Sequence, residues 1–321
     1  MIIIWRGLFY MKKYMIITHT DLDGIGAIVV GKTILNKQHI DMKFCGYYNV
    51  NETVINALVS SENYSHIFIT DISVNENTAN YINTCHKGRV TLLDHHSNLE
   101  YLDQYDWAIV KPGEEGTKDR ECGTSLFYKF LKDKLKFKTN QAMENFVEKV
   151  RRYDTWDWHD YYNDNEAKQL NDYFGKIGFF DFINEYVSKI KRNDNELFSD
   201  SAKKMLKNSQ RNLNQLIKSK EKQMCTKNID GYNVGFIFSE IYQSEVGNQL
   251  LDLHPELDGI ILYDLSKNKM SIRSNDKSDF DCSLIAKNWF GNGGGRKNTG
   301  GAQIPEEILI QIQNLLFNKL V

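Results

Sequence analysis

Proline is nearly missing: three residues in 321, in a chain otherwise rich in Asn and Lys, which suggests an AT-rich bacterial or phage genome. Cysteine is scarce too. Cys45, Cys85, Cys122, Cys225 and Cys282 are an odd number, scattered, with no CxxC pair. This speaks against a disulfide framework and a cysteine-rich zinc site, and for a reducing cytoplasm. Strong charge of either sign is absent, the formal net charge being −2. No global basic field awaits long duplex nucleic acid, so such a substrate would be gripped locally, which favours short ones. Long apolar runs are absent as well. The opening MIIIWRGLFY is broken by Arg6 and far too short to span a membrane. It also lacks the order of a signal peptide, and an extended start with Met11 as an alternative initiator is expected. There is no internal repeat and no low-complexity tract.

What is present is ordinary globular material. Hydrophobic content is 41% and charged content 26%. The length suggests two domains and can bury a core without staples.

The first half alternates short apolar runs with helical stretches. Met15–Thr18, Ile67–Thr70 and Val90–Leu93 read as buried strands, and Gly24–Leu35 as a helix packed close to the first. Continuous apolar runs separated by helices argue for a parallel α/β sheet. Ligands bind such sheets beyond the carboxyl ends of the strands. All three runs end in an acidic or histidine cluster at that edge. Residues 140–191 look helical and aromatic-rich, and 196–227 reads as a long connecting helix. A second α/β segment follows from Gly231, with GFIFSE, GIILYDL and KMSIRS as strands and SLIAKNWF as a helix before a glycine loop.

The first cluster is HTDLDG, with His19, Asp21 and Asp23 at alternate positions. A calcium EF-hand fails here, because the closing twelfth position is Val30 and not Glu. A Rossmann fingerprint fails because position 29 is valine. The second is LLDHHSN: one histidine of the pair can bind a metal while the other faces substrate, and Asp94 can orient an imidazole. The third is Asp71 in FITDIS. The fourth is RRYDTWDWHD, where Asp154 can close a metal site. Trp156 and Trp158 can stack on bases, although core packing is the expected role for both.

Together His19, Asp21, Asp23, Asp71, His95 and Asp154 form a carboxylate–imidazole set without thiolate. It suits Mn²⁺, with Mg²⁺, Fe²⁺ or Co²⁺ as alternatives. Six ligands are too many for one catalytic ion and about right for two sharing a carboxylate and acting on a phosphoryl group.

The fifth motif is FGNGGGRKNTGGA. Six of the 21 glycines lie in positions 291 to 301. Walker A fails, because Gly301-Ala302 stands where Lys-Ser/Thr is needed. Glycines let backbone N–H groups approach an anion, while Arg296 and Lys297 add charge; upstream, Arg273 and Ser274 can grip phosphate.

These residues together resemble the DHH phosphoesterase family. Asp94-His95-His96 matches its signature, HTDLDG its first motif, Asp71 its second, and Tyr153-Asp154-Thr155 its fourth. The stretch from Ser271 to Gly295 is similar to the DHH-associated domain of the exonuclease and oligoribonuclease (nanoRNase) branch. The resemblance spans 15 to about 302.

It implies an α/β protein: a parallel-sheet DHH catalytic domain over 11–195, a connecting helix over 196–230, and a smaller α/β DHH-associated domain over 231–321. The active site would lie in the cleft between the domains. His19, Asp21 and Asp71 would hold one Mn²⁺, and Asp23, Asp71, His95 and Asp154 the other. His96 would face the scissile phosphate, with Asp94 behind it. Arg273, Ser274 and the loop Gly293, Gly294, Gly295 and Arg296 would bind the substrate's terminal phosphate or base. One departure is Arg296, where the family usually has histidine. The expected activity is Mn²⁺-dependent hydrolysis of very short RNA, or short single-stranded DNA, to mononucleotides in the cytoplasm, with no membrane partner. The alternative is a phosphodiesterase or phosphatase for small nucleotides, such as cyclic mononucleotides, dinucleotides or 3′,5′-bisphosphates. Oligomeric state is left open, a homodimer included.

Overall fold

A computed structural model of the chain describes residues 12–35, 38–114, 116–275 and 277–317. The alternative start at Met11 lies outside them. The chain divides into two compact units, Met1–Leu206 and Lys207–Val321.

The first unit is built on five strands: β1 (Lys13–Thr18), β2 (His39–Phe44), β3 (His66–Thr70), β4 (Val90–Asp94) and β5 (Ala108–Val110). They pair in the order β2-β1-β3-β4-β5, every pairing parallel. Helices α1 (Leu22–Ile34), α2 (Val50–Val59) and α3 (Glu76–Cys85) make the first three crossovers. After β5 come α4 (Gly123–Leu135), α5 (Gln141–Asp154), the short α6 (Asp157–Asp160), α7 (Asn165–Ile177) and α8 (Phe179–Lys191).

Alternate strand residues face opposite sides. Ile16, Phe68 and Leu93 join a core with Ile28, Phe127, Phe146 and Phe182. Met15, Ile17, Ile67, Ile69 and Leu92 pack under Val54, Leu58, Ala79 and Ile82. Strands covered on both faces must be apolar throughout, which is why β1, β3 and β4 are legible as runs. Each fully buried Ile or Leu contributes roughly 1.5–3 kcal/mol. The edge strand β2, HIDMKF, is only half-buried and carries His39, Asp41 and Lys43, so it gives no such run. β5 has three residues, too few to show a period.

The strand order reverses between β1 and β3. That is the switch point where a crevice opens past the strand ends of a doubly wound sheet. Asp21 caps α1 directly after β1, and Asp71 follows β3.

Helix α9 (Asp200–Gln223) leads into a mixed six-stranded sheet, ordered β10-β11-β9-β8-β7-β6. Its strands are β6 (Cys225–Ile229), β7 (Tyr232–Phe238), β8 (Gly259–Asp264), β9 (Lys269–Ser274), β10 (Gly294–Gly295) and β11 (Thr299–Gln303). Only β7 and β8 pair in parallel, across α10 (Gln243–Leu253). Helix α11 (Cys282–Phe290) connects β9 to β10, and α12 (Glu306–Phe317) follows β11. Val234, Ile261, Ile272, Phe280 and Ala286 fill one face of this sheet; Leu213, Ile217, Val246, Leu250 and Ile260 fill the other.

The expected connecting helix is shorter than 196–227, because Cys225–Ile229 is a strand. Asp230-Gly231 joins it to β7 with φ of 52° and 90°, and Ile229 pairs with Tyr232. Two adjacent residues at positive φ make the turn whose twist fits a two-residue hairpin, and Asp-Gly favours it strongly.

Candidate metal centre

The site is assembled from strand ends and helix starts. Asp21 accepts a hydrogen bond from Gly24 N at 3.0 Å and lies 2.7 Å from His19 Nδ1. Asp23, in the first turn of α1, is buried. Its Oδ2 accepts from Gly123 N at 2.6 Å and its Oδ1 from Thr124 N at 2.8 Å. The carboxylate thus sits on the N-terminus of α4, where unpaired N–H groups and the helix dipole favour negative charge.

Asp71 is fully buried and has φ +57°, in the left-handed region. That conformation costs a non-glycine residue about 1–2 kcal/mol. Asp71 N donates to Leu93 O at 3.0 Å, holding the turn against β4.

His95 Nε2 is ringed by three carboxylates: Asp71 Oδ1 at 3.3 Å, Asp154 Oδ2 at 3.4 Å and Asp23 Oδ2 at 3.7 Å. Asp154 comes from the last position of α5. Two triads of donor atoms therefore converge, His19–Asp21–Asp71 and Asp23–His95–Asp154, and a third group, Asp71, Asp94, His95 and His96, overlaps both. The Asp71–His95 contact joins them. All six ligand residues expected from the sequence are brought together here.

Electrostatics argues for cations at this place. Burial pushes Asp71 well above the usual carboxylate range, and the charges of Asp23, Asp21 and Asp154 push it further. Burial likewise raises Asp154, reinforced by Asp23 and Asp21 and opposed by Arg120. Burial lowers His95, although the carboxylates around it pull the other way, and a neutral imidazole is the form that ligates. Asp71 Oδ2 and Asp154 Oδ2 are buried without a hydrogen-bond partner among the described residues. Crowded buried carboxylates with orphaned oxygens, beside imidazole, fit divalent cation binding, which carboxylate and imidazole satisfy.

Asp94 and His96 lie beside the triads. Asp94 Oδ1 accepts from His95 N at 2.7 Å and lies 2.7 Å from His96 Nδ1; Ser73 Oγ donates to its Oδ2 at 2.5 Å. The hydrogen bond to Asp94 raises the His96 pKa and burial opposes it, while Asp94 itself is lowered despite burial. His96 Nε2 faces outward and meets Tyr47 Oη at 3.2 Å.

Several site residues escape the sequence reading. Gly123 and Thr124 hold Asp23 from 100 and 101 positions away, and a Cys-Gly-Thr-Ser stretch announces a helix start without naming that partner. Tyr47 packs its ring on His19 and His96 with no local motif to announce it. Arg120 donates to Thr155 O beside Asp154. The tryptophans divide against the expectation of core packing. Trp158 is half-buried, whereas Trp156 is 47% exposed.

Gly123 is a test of how tightly this centre is built. A Cβ there would stand 2.6 Å from Asp71 Cβ and 2.9 Å from Asp23 Oδ2. Gly123→Ala is expected to destabilise by about 1–3 kcal/mol and to weaken divalent-ion binding about 10–100-fold. Thermal melts and calorimetric titration with Mn²⁺ read both. Unchanged affinity would show that the start of α4 does not set the ligand geometry.

The residues expected to bind substrate lie in the second unit. Arg273 Nη1 donates to Ser271 Oγ and Ile272 O, and Nη2 to Ser244 Oγ, each at 2.8 Å. Burial lowers its pKa. Ser274 is buried, its Oγ 3.5 Å from Lys297 O. The glycine loop is an ordered hairpin: Gly294 and Gly295 pair with Gly301 and Gly300, and Arg296 N donates to Thr299 O at 2.7 Å. Glycine at 300 has a packing cause, since a Cβ would lie 2.5 Å from the Cys282 carbonyl oxygen. Arg296 and Lys297 stand exposed at the tip and Gly293 and Gly294 are half-buried.

Comparison with known proteins agrees with this geometry. Residues 13–150 match the DHH family, N-terminal domain. Oligoribonuclease NrnB of Bacillus subtilis (strain 168) is 29% identical over 300 residues, covering 92% of this chain and 74% of that protein. A crystal structure of the exonuclease RecJ bound to manganese superposes with a TM-score of 0.55 at 10% identity, covering 94% of this chain and 88% of that one. PggH of Vibrio cholerae, a pGpG-specific phosphodiesterase, gives 0.55 at 16% identity, covering 95% and 98%. At those identities the two structures speak for the fold alone. The match runs from β1 into α5, and acidic and histidine residues converge past those strand ends, so over residues 13–150 the chain carries a domain that matches the DHH family, N-terminal domain.

Proposed function

We propose that this chain hydrolyses short oligoribonucleotides to mononucleotides with two divalent ions, Mn²⁺ first and Mg²⁺ or Co²⁺ as substitutes. The observation that carries the reading is the pair of donor triads joined at Asp71. The likeness to an oligoribonuclease over most of the chain supports the substrate class. His19, Asp21 and Asp71 would hold one ion, and Asp23, Asp71, His95 and Asp154 the other. When bound, such ions supply Lewis acidity, lowering the pKa of water and offsetting charge on the phosphoryl oxygens.

The chain's own residues do the rest. Asp94 fixes the His96 ring through Nδ1 and leaves Nε2 facing outward, able to carry a proton to the leaving oxygen or to neutralise phosphoryl charge. Short single-stranded DNA is the second polymer this chemistry admits. Among the described residues no helix is long and apolar enough to cross a membrane, and all five cysteines are free; both suit an enzyme of the reducing cytoplasm.

A product time course tests the proposal. End-labelled RNA of two, five and twenty-four nucleotides is incubated with Mn²⁺ beside matching DNA, a cyclic mononucleotide and a 3′,5′-bisphosphate. Loss of the two- and five-mers one nucleotide at a time is the expected result. Intact oligomers with a consumed small nucleotide would keep the metal centre and overturn the substrate.

Arg296 belongs to the same proposal as a phosphate contact. Arg296→Ala is expected to raise KM about 10-fold for oligomers with a terminal phosphate and to leave those without one little changed. Equal KM values for both would remove the hairpin tip from substrate binding.

A further inference from the structure

We propose that Trp156 is a stacking platform for a nucleobase of the substrate, braced beside the metal centre by the segment that supplies Asp154. This rests on the phosphodiesterase reading above. Five observations converge on it. Trp156 is 47% exposed, so the indole is not committed to the core. Its backbone has φ 66° and ψ 2°, the left-handed region, rare for a bulky aromatic residue. Strain of that kind persists only where the surroundings impose it, and it gathers at functional sites.

Here the surroundings do impose it. Trp156 N donates to Tyr153 O at 3.2 Å, and its carbonyl accepts from His159 N at 3.0 Å and Asp160 N at 3.3 Å. On either side the chain is pinned: Arg120 donates to Thr155 O, and the buried Arg151 Nη1 donates to the fully buried Asp157 Oδ2 at 2.7 Å. The indole is also braced. Trp158 meets it edge-on at 5.3 Å and 72°, and His159 lies tilted at 5.7 Å.

Position completes the argument. Trp156 follows Asp154 by two residues, so their Cα atoms are at most about 7 Å apart. A base on the sugar adjoining a phosphate held at Asp154 is within reach of such a side chain. The chemistry recognised is the π-face that every base offers, so stacking adds affinity without reading base identity.

The test uses three ribodinucleotides: one intact, one abasic at the 5′ nucleotide and one abasic at the 3′ nucleotide. Trp156→Gly suits it, because glycine adopts positive φ freely and the turn should survive. Trp156→Phe keeps a stacking ring. For the intact dinucleotide, Trp156→Gly is expected to raise KM about 10–100-fold, with a smaller effect on kcat. Trp156→Phe should recover most of the loss. For one of the abasic analogues the KM ratio of variant to wild type should shrink at least about fivefold, since there is less base to lose. Equal ratios on all three substrates, or Trp156→Phe as poor as Trp156→Gly, overturn the platform. Should wild type cleave none of the three with Mn²⁺, the phosphodiesterase reading fails, and titration with AMP decides the platform separately. Tryptophan emission quenched in wild type but not in Trp156→Phe would uphold stacking; equal response in both would reject it.

Discussion

Asp71→Asn is expected to make the metal-free protein more stable and hydrolytically dead. Asp71 is buried against the charges of Asp23, Asp21 and Asp154, and its carboxyl is held well above the ordinary range. A carboxyl raised in the folded state binds its proton more tightly there than in the unfolded chain. Folding stability from this group therefore falls as pH rises from the ordinary carboxylate pKa through the raised one. Asparagine removes the charge, keeps the shape and tolerates φ +57°. The metal-free variant should gain about 1–2 kcal/mol at neutral pH, or about 2–8 °C in Tm for the N-terminal unit. Its stability should also depend less on pH above the ordinary carboxylate pKa, where wild type loses stability through this group.

Added Mn²⁺ reverses the ranking. At 100 times its Kd an ion stabilises wild type by about 2.7 kcal/mol, and Asp71→Asn, stripped of the shared ligand, should respond far less. Hydrolysis should fall by at least about 10³-fold. Melts with and without Mn²⁺, beside steady-state rates, measure all three effects. Near-normal turnover, or an undiminished Mn²⁺ shift, would remove Asp71 from the metal centre.

His96→Gln is expected to lower kcat by about 10²–10⁴-fold while leaving the Mn²⁺-induced Tm shift in place. His96 clusters with Asp71, Asp94 and His95 but is not among the residues proposed to hold the ions, so a Mn²⁺ shift that survives its loss separates a part in the reaction from a part in holding metal. The choice of substrate separates two roles. If His96 protonates the leaving oxygen, an ester with a p-nitrophenolate leaving group, which departs without a proton, should lose far less than a dinucleotide. If His96 only neutralises phosphoryl charge, both substrates should lose alike. Asp94→Asn, which disturbs the ring through Nδ1, should cost about 10–100-fold. A His96→Gln enzyme with unchanged kcat on dinucleotides would leave the outward imidazole without a part in the chemistry.

By itself the sequence determined the frame of the first unit and the identities of its metal-competent residues. Strands buried on both faces must be apolar, so β1, β3 and β4 stand out as runs. The polar residues at their ends then stand out by contrast: HTDLDG, Asp71 and DHH. Local chemistry at a strand end is written in neighbouring letters, and so it can be read. Tertiary structure alone decided which carboxylates share one space. His95 Nε2 meets Asp23, Asp71 and Asp154, drawn from three separate segments, and no periodicity encodes a 3.3 Å contact across the sheet.

It also decided what supports them. Asp23 is held by the start of α4, and Tyr47 reaches His96 from the loop after β2; both are matches of shape over long sequence separations. The same holds for Trp156. Composition and spacing make a tryptophan in a helical stretch a core residue by default. Only the pinned left-handed turn, two residues past Asp154 and held by Arg120, Arg151 and Asp157, leaves the indole exposed to solvent.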